Sequence, residues 1–215
     1  MSKRFRFNVS AILTIIIFLS LIPVWGYAAA EETVSKKLGN RGFKNSVDLG
    51  VAASDVSIKT SIIAQENGRD VVYTTADGGK FDVVDLKDNK LLFAAQMGDV
   101  TQSWTHSLAP DGTVYIGALG VGNVGELWSY KSEGRVIKKL GIIHEGEQVW
   151  SSTVDEQGNV YLGTYPSGKI VKYEPSTGVF TDLGQVDPEN GYVRSMAYAD
   201  GYVYAGIPPL YKITV

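Results

Sequence analysis

The chain has 215 residues, 44% of them hydrophobic, and a formal net charge of −3; that is enough apolar material for a sizeable core and excludes a disordered tail. It holds no Cys and only two His, which excludes a disulfide framework and a thiolate metal site. The 24 Gly, 12 Tyr and 4 Trp, set among many Val, Thr and Ile, are the mixture of short strands joined by tight turns, so an all-β fold is expected.

Residues 1–30 begin with Lys3, Arg4 and Arg6, continue in the apolar run Ala11 to Val24 and reach Ala28-Ala29-Ala30. A charged start, an apolar centre and a small-residue cleavage site describe a secretory signal peptide. An uncleaved anchor is the competing reading, against which the run lies near the short end of a spanning helix, and a lipoprotein anchor is excluded because no Cys can be acylated. The expected product is secreted, in contact with a membrane only transiently through its signal. Removing the three cations takes the net charge from −3 to −6, which gives no electrostatic reason to expect nucleic-acid binding. A linker over 31–42 follows.

From 43 onward the chain repeats itself. Trp104 to Gly117, Trp150 to Gly163 and Val193 to Gly206 align without a gap, each running from an alternating stretch through a Gly turn into Val-Tyr-x-Gly, and a weaker copy runs from Ile62 through Asn67-Gly68 to Val72-Tyr73. That is a hairpin signature. A second strand pair follows each hairpin, as in Leu127 to Tyr130 with Val136 to Leu140, and Ile170 to Tyr173 with Val179 to Leu183. The anchoring tyrosines Tyr73, Tyr115, Tyr161 and Tyr204 are 42, 46 and 43 residues apart. A four-stranded unit at that period is a propeller blade, because one such sheet cannot bury both faces unless neighbours stack on it around an axis. The fold expected is therefore an all-β propeller of four-stranded antiparallel blades, about four of them, over 60–98, 101–141, 147–184 and 192–215. Residues 45–50 hold Val47-Asp48-Leu49-Gly50, which matches the ends of the repeats at Lys139-Leu140-Gly141 and Asp182-Leu183-Gly184, and the last repeat stops at a third strand. Either 45–50 closes a compact four-bladed ring, or the ring is incomplete and the chain is the N-terminal part of a longer propeller, the version favoured by its aromatic content and abrupt end.

Over about residues 45 to 215 these repeats resemble those of the quinoprotein-like and YVTN-like β-propeller superfamily. Gly79 to Phe93 is similar to a quinoprotein repeat, but Asn89 and Phe93 stand where that pattern has Gly of a Thr-Gly turn and Trp, so no quinone or other cofactor is expected. Gly163 to Gly178 also resembles repeats of secreted propellers that accompany polysaccharide-degrading systems, which implies polysaccharide or an extracellular protein as partner.

Little in the chain spells out chemistry. His106 and His144 fall in different parts of the repeat with no ligand spacing, Asp82 to Asp88 lacks the central Gly of a calcium loop, and Gly117 to Gly125 precedes a strand instead of a phosphate-binding helix, so no metal or phosphate site is expected. What remains is positional. The loops entering the innermost strands meet near a propeller axis, where Gln102, Trp104, His106, Gln148, Trp150, Tyr165 and Arg194 would gather. Such aromatic faces stack on pyranose rings while Gln, His and Arg donate to hydroxyls or carboxylates. A binding module for carbohydrate or protein is the leading expectation. A polysaccharide lyase or hydrolase domain, with His106 as base and Tyr165 and Arg194 beside it, and a truncated fragment without independent function are the alternatives. Catalysis is left open. Against a catalytic His106, the matching positions of later repeats are Ser152 and Ser195, and the reading of Trp104 and Trp150 as packing between blades competes with the ligand role.

Overall fold

A computed structural model describes residues 57–208 and the strand 212–214; the expected signal peptide at 1–30, the linker 31–42 and the closing strand at 45–50 lie outside the described residues. The described elements are β1 (Ile58–Glu66), β2 (Arg69–Ala76), β3 (Lys80–Asp85), β4 (Lys90–Gln96), β5 (Val100–Leu108), β6 (Val114–Gly120), β7 (Val124–Lys131), a 3₁₀ turn at Glu133–Arg135, β8 (Val136–Glu145), β9 (Gln148–Val154), β10 (Val160–Tyr165), β11 (Lys169–Glu174), β12 (Val179–Gln185), β13 (Ser195–Ala199), β14 (Tyr202–Ile207) and β15 (Lys212–Thr214). They form three four-stranded sheets, β1 to β4, β5 to β8 and β9 to β12, and a three-stranded sheet, β13 to β15, each an antiparallel meander in chain order. The first strand of each sheet packs on the first strand of the next, β1 on β5, β5 on β9 and β9 on β13. This is β-propeller architecture, and no closed ring forms among the described residues.

Burial follows from that stacking. The second sheet is covered on both faces, and β6 is buried at every position from Val114 to Gly120. Strands β1 and β13 instead alternate between exposed and half-buried positions, as strands with one covered face do. Between the first two sheets, Tyr73, Phe81 and Tyr130 are almost fully enclosed, with ring centroids 5.5 Å apart for Tyr73 and Tyr130 and 5.0 Å for Phe81 and Tyr130. Buried Glu66 accepts from the Tyr73 hydroxyl at 3.2 Å and the Tyr130 hydroxyl at 3.4 Å, so both phenols are satisfied. A second cluster, including Tyr115, Leu127, Leu162 and Tyr173, fills the space between the second and third sheets.

The glycine of each Val-Tyr-x-Gly strand has a packing reason. A Cβ on Gly117 would lie 2.5 Å from Val149 Cγ1, and one on Gly163 would lie 2.5 Å from Val193 Cγ1. Those valines precede the inner residues of the following sheets, so the missing side chain lets neighbouring blades approach.

The hairpins are less alike than the gap-free alignment of the repeats implies. Asn67-Gly68 and Asp200-Gly201, with φ of 52° and 75°, and 52° and 83°, make two-residue turns that join Glu66 to Arg69 and Ala199 to Tyr202. The second and third sheets use longer loops, 109–113 and 155–159, in which the Asp111 carboxylate accepts from the Thr113 amide and the Asp155 carboxylate from the Gln157 and Asn159 amides. The difference shifts the last inner strand by one residue. Gly206 pairs with Ser195, as Gly163 pairs with Ser151 and Gly117 with Thr105. Arg194, not Val193, is therefore the counterpart of Trp104 and Trp150, and Met196, not Ser195, is the counterpart of His106 and Ser152.

Candidate functional site

The same counting carries to the first sheet, where Thr60 pairs with Thr75 and Lys59 becomes the counterpart of Trp104. Lys59, Trp104, Trp150 and Arg194 thus hold one position in four successive sheets. Three of them are extra residues in the strand pairing: the register passes from Ile58 to Thr60, from Ser103 to Thr105, and from Ser151 to Val149. A bulge residue is freed from the alternation of the strand and its side chain is re-aimed. Arg194 stands just before β13, its amide donating to the Gly206 carbonyl at 2.9 Å.

The four side chains form a continuous stack. The Trp104 and Trp150 rings lie 4.4 Å apart with 10° between their planes. Lys59 Nζ sits 5.6 Å from the Trp104 centroid, and the Arg194 guanidinium 4.9 Å from the Trp150 centroid. Each indole is thus covered by its partner on one face and approached by a cation, a contact worth about 0.5–1 kcal/mol where exposed. Lys59 is paired with Asp77 at 3.6 Å. Arg194 is 5.5 Å from the Tyr192 centroid and donates from Nη1 to the Tyr192 hydroxyl at 2.8 Å; no carboxylate partner for it occurs among the described residues.

Two tyrosines border the stack. Tyr165, at the end of β10 and 41% exposed, stands edge-on to Tyr192 at 5.1 Å and to Trp150 at 6.3 Å, and Tyr192 lies 4.9 Å from Trp150. Gln148, two residues before Trp150, accepts from its Nε1 at 3.0 Å. Gln102 holds the equivalent place before Trp104, yet Trp104 Nε1 is buried without a hydrogen-bond partner.

His106 is elsewhere. Its Nε2 lies 2.8 Å from Thr75 Oγ1 and its Nδ1 3.4 Å from Thr60 Oγ1, and its ring meets Phe81 edge-on at 6.3 Å. The imidazole faces the first sheet, and burial pushes its pKa down to about 3. Tyr165 and Arg194 cluster around Trp150 and Tyr192, on the side of the fourth sheet. The arrangement required of a lyase, with His106 beside both, is not assembled by these contacts. Of the other six candidates, Trp104, Trp150 and Arg194 lie in the stack, Gln148 and Tyr165 contact Trp150, and Gln102 lies two residues before Trp104 in β5. Lys59 and Tyr192 escape the sequence reading because both are found only by counting strand partners: Lys59 precedes the residue paired with Thr75, and Tyr192 takes the place that Gln148 has before Trp150. Among the described residues no group of three or more His, Cys, Asp and Glu is placed to hold a metal ion.

No described protein family matches the sequence, and no curated protein does. Solved structures do share the fold. An auxiliary nutrient binding protein from Bacteroides thetaiotaomicron is 12% identical, matching 70% of this chain and 36% of its own with a TM-score of 0.54. The β-propeller domain of Swd1 from Myceliophteria thermophila is 8% identical, with 71% and 48% covered and a TM-score of 0.57. Virginiamycin B lyase from Staphylococcus aureus is 14% identical, with 66% and 47% covered and a TM-score of 0.54. At these identities the likeness is one of fold. The chain spans between about a third and a half of the length of these proteins.

Proposed function

We propose that this chain is a secreted β-propeller module that binds carbohydrate at the aromatic strip around Trp150. The observation that carries the reading is the placement of Trp104, Trp150 and Arg194 at one repeated position, with Tyr165 and Tyr192 beside them. Ligand sites commonly combine a rigid aromatic surface with a few oriented polar groups, and a stacked indole pair offers rigidity at small entropic cost. The charged start, apolar centre and Ala28-Ala29-Ala30 of the first thirty residues support secretion. The nutrient binding protein among the structural neighbours lends the binding reading support at the level of fold alone.

Affinity electrophoresis of the purified full chain through gels cast with neutral and acidic polysaccharides tests it. At least one polysaccharide is expected to retard the chain, with the retardation lost in Trp150→Ala while circular dichroism is unchanged. Equal mobility in every gel would overturn the assignment.

A further inference from the structure

We infer that the strip recognises an acidic saccharide, one whose pyranose ring carries a carboxylate, with Arg194 as the residue that reads the acid and Tyr165 as the surface on which the sugar ring lies. This rests on the binding reading above and narrows it to a ligand class.

The indole faces are not free. Trp104 and Trp150 cover each other at 4.4 Å, and Lys59 and Arg194 approach them from either end. A neutral sugar seeking an aromatic face would find mainly Tyr165, which is 41% exposed. One such surface gives little affinity by itself, so a further contact of a different kind is needed.

Arg194 supplies it. Its guanidinium is held over Trp150 at 4.9 Å and tied to the Tyr192 hydroxyl at 2.8 Å. One of its five N–H donors is thereby used, and the rest remain for a planar acceptor. Carboxylate matches that fork in a bidentate manner, and the stacked, tethered side chain has already lost much of the rotamer freedom that binding would otherwise take from it. The chain has a formal charge of −3, yet no described carboxylate has paired with this cation. At the opposite end of the stack the comparable cation, Lys59, is paired with Asp77 at 3.6 Å. The Arg194 guanidinium, oriented by Trp150 and Tyr192, is the cation of the stack that a carboxylate from outside would meet.

Tyr192 links the two halves of the site. Arg194 lies 5.5 Å and Tyr165 5.1 Å from its ring centroid, so a flat apolar face and an anion fork stand beside the same phenol. A uronate presents those features together, a C–H face on the ring and a carboxylate at its edge. The Gln148 amide, whose Oε1 accepts from Trp150 Nε1 at 3.0 Å, stands beside the same strip and keeps its N–H donors for a sugar hydroxyl.

The test measures binding of the full chain to polygalacturonate, to the same polymer fully methyl-esterified, to poly-L-glutamate and to dextran sulfate, by isothermal calorimetry in 0.15 M salt. Polygalacturonate is expected to bind about tenfold or more tightly than the ester, the factor set by one charge-assisted contact. Arg194→Lys, which keeps the charge and removes the fork, is expected to lose that preference while unchanged circular dichroism reports the fold; Tyr165→Ala is expected to weaken polygalacturonate and ester alike. Equal binding of acid and ester, with both lost in Trp150→Ala, would overturn the inference and leave the carbohydrate-binding reading intact. Poly-L-glutamate or dextran sulfate binding as tightly as polygalacturonate would overturn the saccharide class, and no binding to any polysaccharide would overturn both readings.

Discussion

Two places in this molecule bring aromatic rings against polar groups, and they are built to different ends. Between the first and second sheets, Tyr73, Phe81 and Tyr130 are enclosed, and the two phenols both donate to Glu66. At the bulge positions, Trp104 and Trp150 are half-buried, capped by Lys59 and Arg194, with one indole N–H satisfied by Gln148 and the other left without an acceptor. The first arrangement consumes its own hydrogen-bonding capacity and contributes stability. The second leaves the Arg194 guanidinium, tied to Tyr192 by a single hydrogen bond, near the exposed Tyr165 ring, which is the condition for a ligand to find partners. Composition does not separate the two; what separates them is whether a neighbouring sheet covers the residues.

The sharpest way to test this contrast is to remove one large ring from each place. Tyr130→Ala takes away packing against Tyr73, Phe81 and Phe93, whose centroids lie 5.5, 5.0 and 5.5 Å from its own, and leaves Glu66 short of a donor. Urea denaturation is expected to show a loss of about 3–5 kcal/mol; a loss below about 1 kcal/mol would mean that the interface is not packed as described.

The next effect is one of pH. His106 is neutral in the folded chain, with its pKa pushed down to about 3 by burial, against an ordinary value of 6.5. Below pH 6.5 the unfolded chain takes up a proton that the folded chain refuses, so stability is complete above about pH 6.5 and falls as the pH drops toward 3. Because the ring retains some exposure, a loss of about 1–3 kcal/mol between pH 6.5 and 4 is expected. His106→Gln should flatten that slope in thermal melts, and an unchanged slope would place the titration elsewhere.

The smallest effect belongs to the stack. Trp150→Ala gives up the ring contacts to Trp104, Tyr192 and Tyr165, the Arg194 contact and the Gln148 hydrogen bond at a half-buried site, and the expected cost is about 1–2 kcal/mol. The same substitution is the one expected to abolish polysaccharide retardation. A cost as large as that of Tyr130→Ala would make the stack a structural element and collapse the distinction.

Much of the architecture is legible in the primary chain. Val-Tyr-x-Gly recurs because a tyrosine must fill the inter-sheet space and because a Cβ at Gly117 or Gly163 would strike Val149 or Val193. The Asn67-Gly68 and Asp200-Gly201 turns announce themselves by residues that tolerate positive φ. The site is only partly legible. Trp104 and Trp150 stand out as a repeated pair, whereas Lys59 does not, since nothing about an exposed lysine in a weak repeat marks it as their equivalent. Arg194 is visible as a candidate, but the gap-free alignment sets Val193 in its place, because the one-residue economy of the last hairpin is hidden until the strands are paired.

What the sequence alone determined is the unit: four strands with alternating apolar residues, turns where Gly and Asn allow them, and a period that obliges neighbouring sheets to stack. Those are local or repeated constraints, written in consecutive residues. The tertiary structure alone decided which residue of each inner strand drops out of the pairing, and hence that a lysine, two tryptophans and an arginine from four sheets meet face to face. Register is a relation between strands, set by turn length and by the packing of the next blade, and no single strand records it.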